Sequence, residues 1–194
     1  MALTEKEIVI CNQSLLSIGA EQFTLANQAS NVQGEKCNLF YSQTRQALLR
    51  SFEWNFASKR KILTSSTTPD FGYDYQFKLP DDFLRLKTKG LYSGDPRVIE
   101  GEYLLTDDDA PEIKYIRNVE DPDEFDPLFT EVLILTLAKK LIPTIAGTKS
   151  ESLTKDVARD LKDATKRAKA VCGVENDLET EQTSNEARYG FEIT

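Results

Sequence analysis

The segment FYSQTRQALLRSFEWNFASKRKIL, residues 40–63, decides the organisation of this chain. Its first part carries Tyr41, Leu48 and Phe52 at helical spacing, which predicts an amphipathic helix that runs to about Phe52. Two more aromatic residues follow at 54 and 56, and large aromatic side chains usually bury. The segment therefore predicts a helix that ends in core anchors, followed by a basic turn at Lys59-Arg60-Lys61.

Two helix starts lie upstream of this segment. Thr4 and Glu7 have the spacing of a capping box, and Gly19 follows the last apolar position of the helix that they open. Ser30 with Gln33 predicts the start of the second helix.

Downstream of the segment, the apolar period changes from three or four residues to two. Residues 64–69 read TSSTTP, which is typical of a linker. Tyr75, Phe77 and Leu79 then alternate with polar residues as in a strand. Further predicted strands cover residues 83–89, 98–99, 103–105 and 113–117, with a hairpin turn at Glu100-Gly101-Glu102.

Helix returns at Asp126-Pro127, because aspartate before proline is a favourable helix start. The helix that follows is the most apolar part of the chain, which favours the centre of a bundle or a subunit interface. Pro143 should kink or end it. Thr148 with Glu151 predicts a fourth, amphipathic helix that runs to about Cys172.

The last residues, 173–194, contain six acidic side chains and few apolar ones. Tyr189, Phe191 and Ile193 alternate near the end, as in a single strand. We expect an extended arm that a partner protein holds by strand addition, with these three residues in contact.

These patterns together predict a mainly α fold. It would be a four-helix bundle with a small antiparallel β insertion between helices 2 and 3 and an extended C-terminal arm. The predicted domains are a helical bundle over 1–63 and 120–172, a β insertion over 64–119, and the arm over 173–194.

Composition disfavours several classes of function. The 194 residues include no histidine, which removes the commonest general base and metal ligand. A net charge of −8 argues against binding DNA by neutralising its phosphates. Three widely spaced cysteines predict no disulfide framework or zinc site. The chain shows neither a signal peptide nor an apolar run that would span a membrane, so we expect synthesis in the cytosol.

Two charged runs are weak candidates for ligand binding. Asp107-Asp108-Asp109 could bind Ca²⁺ or Mg²⁺, but the run lacks the alternate spacing and central glycine of a calcium loop. Lys59-Arg60-Lys61 could contact phosphate, and no glycine-rich phosphate loop or nucleophile elbow accompanies it. We therefore predict no catalytic residue, no metal and no cofactor, and we expect that the protein is not an enzyme.

Four short motifs follow one another along the chain. They are N-x-x-L-x-x-I-G at Asn12, Leu15, Ile18 and Gly19, W-x-F-A-x-x-R at Trp54, Phe56, Ala57 and Arg60, L-P-x-D-F-L-R at Leu79, Pro80, Asp82, Phe83, Leu84 and Arg85, and I-x-Y-I at Ile113–Ile116. Motifs and element order to about Val171 resemble the tail tubular protein A family, the head-to-tail adaptor of short-tailed bacteriophages. The motif core would be Trp54, Phe56, Arg60, Leu79, Pro80 and Phe83.

The resemblance implies a structural virion protein in the tail, present in the host cytoplasm during assembly. It implies a ring, usually of twelve copies, between the portal protein and a tail nozzle similar to tubular protein B. DNA would pass through this ring without sequence-specific binding, and no membrane would be involved.

Three alternatives to this adaptor stay open. One is the head-completion adaptor of long-tailed phages, which also pairs a helical bundle with an extended arm. The others belong to different classes: a carboxylate- or metal-dependent hydrolase built on the acidic run, and a monomeric regulatory module that binds one protein partner.

Overall fold

The computed structural model describes residues 2–64, 66–87, 97–145 and 150–189, without the side chains of 66, 150 and 176–189. The chain divides into two compact units. One consists of Met1–Phe52 with Glu120–Thr194, and the other is Glu53–Val119. We call them the helical unit and the β unit.

The helical unit is built around its most apolar helix. Its helices are α1 Glu5–Leu16, α2 Val32–Ser51, α3 Pro127–Ile145 and α4 Ser150–Tyr189, with a short 3₁₀ helix at Pro122–Glu124. α3 packs against α1, α2 and α4. Its side chains Phe129, Leu133 and Leu137 are fully buried, so the apolar third helix lies at the centre of this unit, as its composition predicts.

The helix ends follow local capping chemistry. Thr4 and Glu7 form the predicted capping box. α2 begins one residue later than predicted, because the Asn31 side chain, not that of Ser30, accepts hydrogen bonds from the first turn. Asp126 accepts hydrogen bonds from the backbone N–H groups of Leu128 and Phe129 and so caps α3.

The end of α3 agrees with the position of its proline. Pro143 lies inside the last turn that the structure describes, two residues before Ile145. Thr148, the predicted start of the next helix, lies outside the described residues. On α4, Val157, Ala164 and Ala168 are buried, as an amphipathic helix predicts, whereas Val171, which the same pattern places on the apolar face, is 45% exposed.

The β unit contains two antiparallel sheets. Its strands are β1 Ser58–Ile62, β2 Ser66–Thr67, β3 Tyr75–Lys78, β4 Phe83–Leu86, β5 Arg97–Glu100, β6 Tyr103–Thr106 and β7 Glu112–Arg117. One sheet has the order β1-β7-β4 and the other β2-β3-β6-β5. The predicted hairpin is present as β5–β6, with Gly101 at φ +58° in its tight turn. A shared core consists of Leu63, Phe77, Leu79, Leu104, Ile113 and Tyr115.

The predicted fold class is wrong. The described residues form four helices together with two antiparallel sheets, a mixed α/β fold instead of a four-helix bundle with one small β insertion. Periodicity misses β1 because it is an edge strand with the sequence SKRKI, whose side chains are mostly exposed and do not alternate. It misses β2 because two residues, Ser66 and Thr67, are too few to show a period.

The predicted extended arm is also wrong over its described part. α4 continues without a break through residue 173 to Tyr189. The residues that follow Cys172 include many good helix formers, such as glutamate, glutamine and alanine, and no proline. The low apolar content of this segment was therefore not evidence that its backbone is extended.

Candidate functional site

Three of the four sequence motifs converge on one carboxylate in the β unit. Asp82 belongs to the third motif, Lys59 lies within the second and Tyr115 within the fourth. Tyr115 Oη donates a hydrogen bond to Asp82 Oδ1 at 2.8 Å, and Lys59 Nζ donates to Asp82 Oδ2 at 2.8 Å. The Asp82 backbone oxygen accepts a bond from the Asn118 N–H at 2.6 Å. We call Lys59, Asp82 and Tyr115 the motif cluster.

The register of the three-stranded sheet brings the cluster together. Lys59 on β1 lies directly opposite Tyr115 on β7. β4 pairs with the other side of β7, and Asp82 immediately precedes β4. Three segments distant in sequence thus meet at one point because β7 is the central strand.

The electrostatics of the cluster hold each proton in place. Partial burial alone would raise the pKa of the Asp82 carboxyl, but the hydrogen bonds from Lys59 and Tyr115 outweigh it and keep this pKa below its usual value. Burial, followed by the bond to Asp82, raises the pKa of the Tyr115 hydroxyl well above its usual range. At neutral pH the carboxylate only accepts and the phenol only donates, which suits a structural brace and not proton transfer.

Further polar contacts tie the same sheet together. Arg85 Nη2 lies 3.0 Å from Glu53 Oε1. The side chain of Lys87 is buried, and its Nζ donates to Ser58 Oγ at 3.1 Å. The Arg117 N–H donates to the Ala57 carbonyl at 2.8 Å. Side chains thus join the segments around the second and third motifs, and a backbone bond joins Ala57 of the second motif to Arg117 of β7.

The predicted motif-core residues occupy different environments in the β unit. Trp54 is fully buried, Leu79 is buried, and Phe83 packs against the shared core. Phe56 and Pro80 are half-buried, whereas Arg60 is exposed on β1. Arg60 belongs to an edge strand and not to the basic turn predicted for Lys59-Arg60-Lys61.

The first motif has a separate role in the helical unit. The Asn12 side chain forms two hydrogen bonds with the backbone of Phe23, at 2.8 and 3.1 Å. Leu15 and Ile18 are buried, and Gly19 adopts φ +68°, a conformation that favours glycine at a helix end. The motif thus ends α1 and fastens the segment that follows it.

The acidic run predicted as a weak cation site forms a turn. The Asp107 carboxylate accepts a bond from the Asp74 N–H, and Asp108 contacts Arg97 Nη2 at 3.1 Å and the Ala110 N–H at 3.0 Å. In the part of the chain that the structure describes, no group of three or more histidine, cysteine, aspartate or glutamate residues could hold a metal ion.

Exposed apolar side chains mark surfaces that sequence reasoning did not identify. Phe71, in the loop between β2 and β3, is 87% exposed. The helical unit exposes Val9 and Leu16 on α1 and Val32 and Leu39 on α2, each pair seven residues apart on one helix face. The signal for Phe71 is an aromatic residue within the Pro69-Asp70-Phe71-Gly72 turn sequence. The helix pairs carry little signal, because single surface apolar residues are common.

The predicted arm contact is described only in part. Tyr189 is the last residue of α4, whereas Phe191 and Ile193 lie outside the described residues. Val171 and Val174 are exposed on either side of Cys172, the last buried side chain of α4 within the described part. They are the exposed apolar side chains nearest in sequence to the predicted arm contact among those that the structure describes.

Among the described residues, no helix combines the length and apolar character needed to cross a bilayer. No protein-family model matches the sequence. No curated protein matches it at a significant level.

Proposed function

We propose that this chain is a structural virion protein, the head-to-tail adaptor that joins a portal to a tail nozzle. The observation that carries this proposal is the motif cluster. Motifs that resemble the adaptor family contribute Lys59, Asp82 and Tyr115 to one hydrogen-bonded brace. Asp82 and Tyr115 are two of the residues that carry the resemblance, and they bind each other although 33 positions separate them in the sequence.

In this proposal the protein is not an enzyme. Asp82 and Tyr115, whose pKa values are shifted in opposite directions, are both engaged in bracing the sheet. The proposed working parts are surfaces: copies of the chain form a ring, the helical unit with residues 173–194 binds the portal, and the β unit faces the nozzle. The net charge of −8 favours a channel that DNA passes without being held, because like charges repel.

The length of α4 supports the proposal that the helical unit with residues 173–194 binds the portal. Among the side chains of α4 that the structure describes, Cys172 is the last buried one, and its neighbours Val171 and Val174 are exposed. A helix rises about 1.5 Å per residue, so the 40 residues of α4 span about 60 Å. The α3 helix has 19 residues and can pair with only about half of that length.

The first experiment is a sedimentation measurement of the full chain, alone and with the portal ring encoded by the same virus. We expect a 21.9 kDa monomer alone that joins the portal as a ring, or a ring in both conditions. A chain that stays monomeric and does not bind the portal would overturn the proposal and leave the monomeric regulatory module as the better account.

A truncation then tests which surface binds the portal. A chain that ends at residue 172 should keep the helical circular dichroism of the core but bind the portal at least tenfold more weakly. The matched control is Phe71→Ser, which alters an exposed side chain of the β unit and should leave portal binding unchanged. Equal loss in both variants would contradict the assignment of the two faces.

A further inference from the structure

Helix α4 continues beyond the ends of the helices beside it. Arg167 on α4 lies 2.7 Å from Glu131, near the start of α3. Two residues further on, the Lys169 ammonium lies 5.3 Å from the ring centre of Phe52, immediately after the end of α2. Both neighbouring helices therefore end close to this level of α4. Residues 173–189, which we call the α4 extension, prolong the helix by about 25 Å.

The bundle-facing register of α4 becomes acidic along this extension. The buried side chains of α4 repeat at steps of seven and four residues, at Val157, Ala164, Ala168 and Cys172. Steps of three and four from there reach Glu175, Glu179, Gln182 and Glu186. The extension holds five acidic residues and one arginine. The register that packs against α3 is thus apolar where α3 is present and acidic where α3 has ended.

A second, apolar register borders the acidic one. Val171 and Val174 are 45% and 66% exposed. Leu178 and Tyr189 follow them at positions of the same helix side. An amphipathic helix with anchors at such spacing typically binds in a groove of another protein.

The charges select the kind of surface that can cover this helix side. A second copy would set carboxylates against carboxylates, which like-charge repulsion disfavours. DNA phosphates and anionic lipid surfaces repel the same carboxylates. A protein groove with an apolar floor and lysine or arginine at its edge complements both registers.

We propose that the α4 extension, together with Val171, is a docking helix that binds such a basic-edged apolar groove on another protein. In the proposed adaptor this protein is the portal, so the identity of the partner rests on the proposed function. The chemistry of the groove rests on α4 alone.

The test uses the full chain with two labelled amphipathic peptides as probes. Both peptides have leucine at the same helical positions, and the remaining positions are lysine in one and glutamate in the other. Fluorescence anisotropy should show binding of the lysine peptide, at least about tenfold weaker in 0.5 M than in 0.05 M NaCl, because salt screens the charges. The glutamate peptide should not bind.

Matched variants locate the binding site on the chain. Glu179→Gln with Glu186→Gln should weaken binding of the lysine peptide at least about fivefold and reduce its salt dependence. Glu100→Gln with Glu102→Gln is the control, because it removes the same charge from exposed positions of the β unit and should leave binding unchanged. Val174→Ser should weaken binding by a similar factor at both salt concentrations, since it removes an apolar contact.

Several results would overturn the docking helix. They are absence of lysine-peptide binding, binding of the glutamate peptide, and equal losses in the two double glutamate variants. Self-association of the full chain that disappears in a chain ending at residue 172 would also overturn it, because a second copy would then be the occupant.

Portal binding separates this proposal from the adaptor function. If the portal binds the full chain and the Glu179→Gln, Glu186→Gln variant equally well, the docking helix is wrong and the adaptor function stands. If the lysine peptide binds as expected but the portal does not bind, the adaptor function is wrong and the docking helix stands.

Discussion

The helical unit and the β unit are stabilised in different ways. The helical unit encloses one apolar helix, α3, whose buried face includes Leu133, Leu137 and Leu141. The β unit combines a small apolar core with a polar brace at Asp82 that joins three distant segments. Apolar packing therefore provides most of the stability of the helical unit, whereas the β unit also depends on particular hydrogen bonds.

The chain carries natural probes that tell the two units apart. Trp54 is the only tryptophan, is fully buried and belongs to the β unit, so we take its fluorescence as the probe of that unit. The long helices lie in the helical unit and dominate the far-ultraviolet circular dichroism. Urea unfolding followed by both signals can therefore show which unit a substitution weakens.

The largest effect should follow loss of volume on α3. Leu137 is fully buried, so Leu137→Ala should lower the free energy of unfolding by about 2–5 kcal/mol through lost contacts and a cavity. The circular dichroism midpoint should fall well below that of the fluorescence. The control Lys139→Ala, at an exposed position, should change stability by less than about 0.5 kcal/mol. Equal shifts of both signals would show that the units unfold together.

A smaller effect should follow a methyl group added to α2. A Cβ atom at Gly34 would lie 2.4 Å from the Gln28 carbonyl oxygen, so Gly34→Ala should destabilise the helical unit by about 1–3 kcal/mol. Gly173 on α4 is the control, since a Cβ there meets nothing within 4 Å. Gly173→Ala should stabilise by about 0.5–1 kcal/mol, because alanine is the better helix former. A stabilised Gly34→Ala variant would mean that the 24–31 loop moves aside at little cost.

The next effect should be confined to the β unit. Asp82→Asn removes the charge that Lys59 and Tyr115 contact, and we expect a loss of about 1–2 kcal/mol in the fluorescence transition. The neighbouring control is Asp81→Asn, whose side chain is 97% exposed and should have little effect. An equal loss in the circular dichroism transition would contradict separate stabilisation of the two units.

The same carboxylate predicts a pH dependence of the β unit. Its pKa is lowered in the folded state, so its contribution is present above the unfolded-state pKa of about 3.9 and disappears as the pH falls through the folded pKa. Below about pH 4, the urea concentration at the fluorescence midpoint should therefore decrease more steeply with falling pH for the unaltered chain than for Asp82→Asn. If the fluorescence midpoints of the two proteins decreased equally with falling pH, Asp82 would not be the source of the pH dependence.

The smallest effect should come from an exposed ion pair in the helical unit. Arg167 on α4 lies 2.7 Å from Glu131 on α3, and both side chains are well exposed. Arg167→Gln should cost only about 0.2–1 kcal/mol, because water and salt screen such pairs. In 1 M NaCl the variant and the unaltered chain should have the same circular dichroism midpoint. A larger loss of stability that does not depend on salt would contradict this, because it would mean that polar contacts stabilise the helical unit as much as apolar packing does.

Local sequence signals predicted the helices better than the sheets. The capping box at Thr4, the aspartate at 126 and the apolar α3 act within a few residues, so periodicity and capping rules detect them. β1 carries the exposed side chains of an edge strand, and its identity depends on pairing with β7, more than fifty residues away. Local reasoning therefore underestimated the sheets and gave the wrong fold class.

The polar sites were harder to predict for the same reason. Asp82 and Tyr115 belong to two of the sequence motifs, but nothing in their spacing indicated that they bind each other or Lys59. The prediction of an extended arm was wrong for a different reason. The residues after Cys172 lack apolar periodicity, but they continue the helix that begins at Ser150.

The pairing of β1 with β7 has a consequence for how the β unit is joined to the rest of the chain. These are its first and last strands, and Ser58 lies opposite Ile116, so the chain arrives and departs about one strand spacing apart, roughly 5 Å. Between α2 and α3 the whole β unit is then equivalent, in conformational entropy, to a short closed loop. A domain joined in this way can be lengthened, shortened or exchanged with little change in the closure entropy of the helices that carry it.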